Sequence, residues 1–301
     1  MKNKRILGCL LLLLTAMIWG AAFAFQRTGM ETIGPFTFTA SRMALSAAAV
    51  GAFTLVRSRR ERRGEPEERR TRRREELLGG ICCGGFLAAA TLFQQAGIVT
   101  TTAGKAGFIT AMYMLLVPVL GFLLFGRKNG LLVWLAVALG VAGLYLLTLT
   151  ERLTLTRGDA LCLVCALLFS GHILCCDHFA RRGDPVRISA VQFVTATLVA
   201  AAAAFAAEQP SRAGIAAAAI PILYCGVLSG GVGYTLQMTA QRFTDPTVAS
   251  LLMCLESVFA VLAGALLLGE RMSPREAAGC AVLFAAILLV QLPQRKKEQS
   301  E

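Results

Sequence analysis

Histidine is nearly absent from this chain, with two residues in 301, and Asp and Glu together contribute only 18. Acid–base and metal centres are built from these side chains, and the patterns that mark such centres are missing too. There is no HExxH, no Gly-rich phosphate loop after a strand, and no Ser/His/Asp set with a plausible meeting point. Charged residues of both signs make up 16%, against about 25% in an average soluble chain. A disordered chain needs more charge and less apolar content than this. The net charge of +12 suggests nucleic-acid binding until it is located: ten arginines fall between Arg57 and Arg74, and elsewhere the excess is small. Neither a nucleic-acid partner nor a cofactor is expected.

What the chain has instead is apolar length. It is 56% hydrophobic with a mean hydropathy of +0.63, and it divides into runs of about 20 apolar residues, enough to cross a ~30 Å bilayer core at ~1.5 Å per residue. Ten such spans are predicted, near 6–25, 35–56, 77–99, 103–126, 130–149, 158–179, 187–207, 213–238, 245–269 and 274–292. The first resembles a signal peptide in its basic start and small residues, but its length and the repetition of its pattern favour an uncleaved span. Nearly all of the ten cysteines lie within these spans, where cysteine behaves as a small hydrophobe. Residues 57–76, with ten Arg and six Glu, read as a solvated loop that can meet anionic lipid headgroups.

The basic residues fix an orientation. With the N-terminus in the cytoplasm, 22 Lys and Arg lie inside and six outside, which places both termini in the cytoplasm. The second half also repeats the first. At a shift of 150, Trp19-Gly20 meets Phe169-Ser170; at a shift of 143, Gln94 meets Gln237, Ala106 meets Ala249 and Gly126 meets Gly269. The long Arg-rich loop accounts for the change of shift. Five spans per half, an odd number, force the second copy upside down. The expected fold is therefore all-α and membrane-embedded: ten transmembrane helices as two inverted five-helix repeats, 1–150 and 151–293, with a tail at 294–301. Inverted repeats are a feature of secondary transporters, whose substrate site lies between the halves.

Within the spans, ionisable groups are few, and they point to a site. Glu256 sits near the middle of an apolar run, where an acid costs about 2.5–3.5 kcal/mol and calls for a partner, a ligand or a watery cavity. Tyr113 occupies the matching position in the first repeat, so the two are candidates for facing walls. Gln94 and Gln237 are the repeat-related polar pair, able to bond substrate or to join helices. Trp19 can stack on an aromatic substrate or simply pack. Lys105, near a helix end, suits either a cavity mouth or water, and Arg42 either a gate or ion pair or a lipid anchor. Span 6 carries Cys162, Cys165, His172 and Cys176 on one face, but the stripe is ~21 Å long. At most His172 and Cys176 could share an ion. No metal site is assigned, and His172 reads as a polar group of the cavity.

The segments LTAMIWGAAFAF, TTAGKAGFITAMYMLLVPVLGFLL, WLAVALGVAGLYLLT and CLESVFAVLAGALLLGERMSPREAAG resemble the EamA-type carriers of the drug/metabolite transporter superfamily. The resemblance spans about 6–292, and makes each half one EamA-type repeat. It implies a bacterial inner-membrane exporter of small metabolites, amino acids or drug-like compounds. Spans 1, 3, 4, 6, 8 and 9 would line its cavity, and spans 5 and 10 would serve as scaffold or homodimer contacts. Ser257 stands where many relatives carry a proline, so the kink such a proline gives is not assured. Two other classes compete: a membrane-embedded enzyme on lipid-linked substrates, which needs more than one deep acid, and a metal-responsive or scaffolding membrane protein.

Overall fold

Prolines and short polar side chains open the helices. Pro35, Pro66, Pro185, Pro246 and Pro274 each stand at the first residue of a helix, where the missing N–H is no loss and φ is already set. Asp184 accepts from the N–H groups of Val186 and Arg187, Asp245 from that of Thr247, and Thr156 forms a capping box with Asp159. The computed structural model describes residues 2–58, 66–101, 103–148, 156–268 and 272–291, and among these every regular element is helical.

The helices are α1 (Lys2–Met30), α2 (Pro35–Ser58), α3 (Pro66–Ile98), α4 (Ala103–Ala111), α5 (Tyr113–Phe125), α6 (Leu131–Thr148), α7 (Arg157–Ala180), α8 (Pro185–Ala207), α9 (Arg212–Ala217) and α10 (Ala219–Leu223). A π-helical segment, Tyr224–Tyr234, leads into α11 (Thr235–Gln241), followed by α12 (Pro246–Met253), α13 (Leu255–Leu268) and α14 (Pro274–Gln291). Among the described residues, eight helical stretches are long and apolar enough to cross a membrane. The other two predicted spans correspond to the shorter pair α12–α13 and to α14.

Two expectations are corrected. Span 4 is broken after α4 at Met112, span 9 after α12 at Cys254, and span 8 carries the π-helical segment, so none of the three is a continuous α-helix. The break at Cys254 occurs without a proline: Ser257 N bonds back to Cys254 O at 3.2 Å, a tightened turn. The Arg-rich stretch is also not simply a solvated loop. α2 runs to Ser58, α3 begins at Pro66, and Glu76 is buried in ion pairs.

Polarity is distributed inside-out. Leu10, Leu14, Phe53, Leu123, Leu198, Phe205 and Leu288 face outward, while Gln95, Gln192, Gln237, Gln241 and His172 are almost fully buried. A membrane solvates such an apolar exterior, and the polar groups must then be satisfied within the bundle. The helix packing has a pattern of its own. α2 packs on α8 and α6 on α14; α1 meets α13 as α7 meets α4 and α5; α1 meets the π-helical segment as α3 meets α7. Each contact recurs when spans 1–5 are exchanged for 6–10. Gly143 and Gly279 set the closest approach of α6 to α14, since a Cβ on either would stand 2.8–3.0 Å or less from backbone of the other helix.

Candidate functional site

The broken helices place the site. Tyr113 begins α5 directly after the break at Met112, and Glu256 lies two residues past the break at Cys254. Interrupted helices at membrane depth are tolerated where they line a cavity. Here Tyr113 and Glu256 line the same one, a narrow cavity of about 50 Å³. Its other walls include Trp19, Gln26, Arg42, Gln94, Phe169, His172, Tyr234 and Gln237. Seven of the eight residues singled out in the sequence thus meet at one place. The eighth, Lys105, belongs to α4, and its side chain lies outside the described residues.

Small residues make room for the walls. Gly20 brings α1 against α13, because a Cβ there would lie 2.7 Å from Glu256 O and 2.9 Å from Ala260 N. Gly233 does the same for the π-helical segment, where a Cβ would stand 2.6 Å from Trp19 Nε1. Trp19 Nε1 donates to Ser229 O at 3.0 Å, which fixes the indole, and its ring packs on Tyr234 with centroids 4.6 Å apart. Phe169, the counterpart of Trp19 at the shift of 150, faces Tyr113 edge-on at 6.5 Å. Each first-span aromatic therefore packs on a tyrosine of the other half, Trp19 on Tyr234 and Phe169 on Tyr113.

The polar groups differ in how far they are satisfied. His172 Nε2 shares a 3.0 Å hydrogen bond with Gln192 Oε1. Gln237 donates to Gln241 Oε1 at 3.1 Å, and Gln241 donates to Ile173 O at 3.0 Å, forming a floor. Gln26 Oε1 accepts from Gln95 Nε2 at 2.7 Å and from Arg42 Nη1 at 3.3 Å. Arg42 is only 4% exposed, which corrects the lipid-anchor reading and adds α2 to the cavity wall. Glu256 has the Tyr113 hydroxyl as a polar neighbour and forms no ion pair with Arg42. The span 6 cysteines do not gather: Cys162 packs toward Gly97, whereas Cys176 approaches His172 and Cys83 at 3.5 and 3.9 Å.

The two ends of the bundle are unlike. At the end away from the Arg-rich stretch, a wider vestibule between the tips of α1, α2, α3 and α4 meets the central cavity at Gln26 and Gln94. At the Arg-rich end, Asp177 of α7 is buried and pairs with Arg127 after α5 at 2.7 Å and with Arg181 at 2.9 Å. Arg181 also reaches Thr244 O at 3.5 Å, beside Gly8 of α1. A second network joins Glu76 and Asp184 to Arg57, Arg72 and Arg187. Sequence reasoning missed these acids, as well as Gln26, Gln95 and Tyr234, because loop-adjacent acids and single amides look like surface or packing residues. One available signal was that Gln26 lies seven residues after Trp19, on the same helix face.

The model of the EamA-like transporter family matches this chain twice, over residues 6–149 and 156–292. The chain belongs to the EamA-like transporter family. An uncharacterised transporter of Archaeoglobus fulgidus is 26% identical over 290 residues, covering 96% of this chain and 87% of that one. The fold is also that of a protein of known crystal structure, with a TM-score of 0.77 at 17% identity over 95% of this chain and 96% of that one. For this EamA-like chain, family membership and the inside-out helical bundle together mean a multi-pass membrane transporter.

Proposed function

We propose that this transporter is a secondary carrier that exports small organic molecules across the bacterial cytoplasmic membrane by alternating access. Its ten membrane-crossing segments form two inverted repeats, 1–150 and 151–293, with both termini and the tail in the cytoplasm. One observation carries the reading: residues from both halves converge on a single polar and aromatic cavity that communicates with one end of the bundle and is latched at the other. The exchange symmetry of the helix contacts supports the repeats, since two equivalent halves can interchange which end is latched. The 22-to-6 distribution of basic residues supports a cytoplasmic Arg-rich end. The outer faces of α6 and α14, with Leu131, Leu135 and Leu288 exposed, are where lipid or a second copy would pack.

In this scheme Trp19, Tyr113, Gln94, Gln237, His172 and Glu256 contact the substrate, Lys105 stands toward the outer mouth, and Arg42 acts inside the cavity. Glu256 alternates between a proton and a positively charged group of the substrate, because a carboxylate without a cationic partner is not stable at that depth. The test is flux in proteoliposomes under an imposed pH gradient, with amino acids, nucleosides, polyamines and cationic dyes as probes. Glu256→Gln is expected to abolish gradient-driven flux; undiminished and equally pH-dependent flux would remove the proton role. Failure of the wild type to move any probe would count against the carrier itself.

A further inference from the structure

The central cavity contains a second charge whose surroundings are incomplete. Arg42 is 4% exposed, yet its Nε and Nη2 atoms are buried without a hydrogen-bond partner. Only Nη1 is engaged, at 3.3 Å from Gln26 Oε1, and the ring of Phe38 lies 5.8 Å from the guanidinium carbon. No carboxylate of the described residues lies within ion-pair distance of it. A guanidinium withdrawn from water and left unpaired is among the costliest states a side chain can occupy. Nε–H and one Nη2–H point in parallel, and this is the edge that grips the two oxygens of a carboxylate. The free atoms are that edge.

Gln26 and Gln95 hold the guanidinium in place. Gln95 Nε2 donates to Gln26 Oε1 at 2.7 Å, which turns the Gln26 oxygen toward Arg42 Nη1 and leaves the opposite edge free. Gln26 also marks the junction with the vestibule, so a ligand arriving by that route meets this group. Glu256 lines the same cavity and makes no ion pair with Arg42, and the aromatic rings of Trp19, Tyr234 and Phe169 line it too. We infer that Arg42, positioned by Gln26 and Gln95, is a carboxylate-binding subsite, and that with Glu256 it makes the cavity selective for zwitterions bearing an apolar or aromatic group. This deepens the carrier reading and rests on it: one charge of the substrate would meet each buried charge of the protein, and neither need be stripped of water without compensation.

The experiment measures binding to the full-length protein in nanodiscs, using phenylalanine, phenylalaninamide (ammonium only) and 3-phenylpropionate (carboxylate only). The wild type is expected to bind phenylalanine about tenfold or more tightly than either single-charge probe. Arg42→Gln should weaken phenylalanine by about 10- to 100-fold, the value of charge-assisted hydrogen bonds, while changing phenylalaninamide by less than about twofold. Arg42→Lys, which keeps the charge and loses the fork, should fall between. Equal wild-type affinity for phenylalanine and its amide overturns the inference, as does equal weakening of both by Arg42→Gln or binding of none of the three. The wild-type comparison needs no variant, so the inference stays testable even if Arg42→Gln does not fold. Flux of other probes in proteoliposomes, with no preference for phenylalanine over its amide, would overturn this inference and leave the carrier reading standing.

Discussion

At the scale of the residue, the cavity is built on close backbone approaches as much as on polar side chains. Gly233 permits Trp19 to lie on the π-helical segment and donate to Ser229 O. Gly233→Ala would force that indole aside, and overpacking of this kind costs about 1–3 kcal/mol. The purified variant should show a lower unfolding temperature and weaker binding of aromatic ligands. Gly85→Ala, where nothing lies within 4 Å of the added Cβ, should lower neither and serves as the control. Glu256, Tyr113, Gln94 and Gln237 could be read in the sequence because a polar residue in an apolar run stands out. Gln95 and Tyr234 could not, since no match between the halves singles them out and only their neighbours distinguish them from packing residues.

At the scale of the element, the breaks and the latch govern behaviour. The spans that carry Tyr113 and Glu256 each tighten by one turn beside the residue that matters, at Met112 and Cys254. Such a turn is where a hinge would act. The latch at the Arg-rich end joins α5, α7 and the turn before α12 through Asp177. Its two guanidinium groups are 38% and 50% exposed, so solvent screening reduces what Asp177→Asn would cost to about 1–2 kcal/mol. That is still roughly a tenfold shift in an equilibrium between two states. The variant should raise labelling of a cysteine placed at the cavity floor by a reagent applied from the Arg-rich side. Gly143→Val acts elsewhere: it pushes α6 from α14, neither of which lines the cavity, and is expected to lower thermal stability while leaving the binding affinity of folded protein intact.

At the scale of the whole molecule, the two halves exchange their contacts, and the proposed five-span repeats would put both termini on one side. Reporter fusions after Gly64 and at the end of the chain should both report the cytoplasm; reporters on opposite sides would refute the two inverted five-span repeats. The contact exchange was foreseeable in outline, because the matched pairs Gln94 with Gln237 and Ala106 with Ala249 already align the halves. What could not be foreseen was that α3 begins at Pro66, inside the Arg-rich stretch. A helix rich in Arg and Glu shows no apolar period, and only its partners at the start of α8, buried Asp184 and half-buried Arg187, account for the burial of Glu76.

The sequence by itself determined the class of the molecule and pointed to seven residues that line one cavity: apolar length fixes the bilayer as solvent, and ionisable residues left in that solvent call for a partner. The tertiary structure alone decided which end is latched, where the long helices break, and which edge of Arg42 is left free. These depend on atoms far apart in the chain coming within a few ångströms, as Arg42 and Gln26 meet Gln95, or Asp177 meets Arg127. Periodicity along one helix contains no information about the helix that will pack against it.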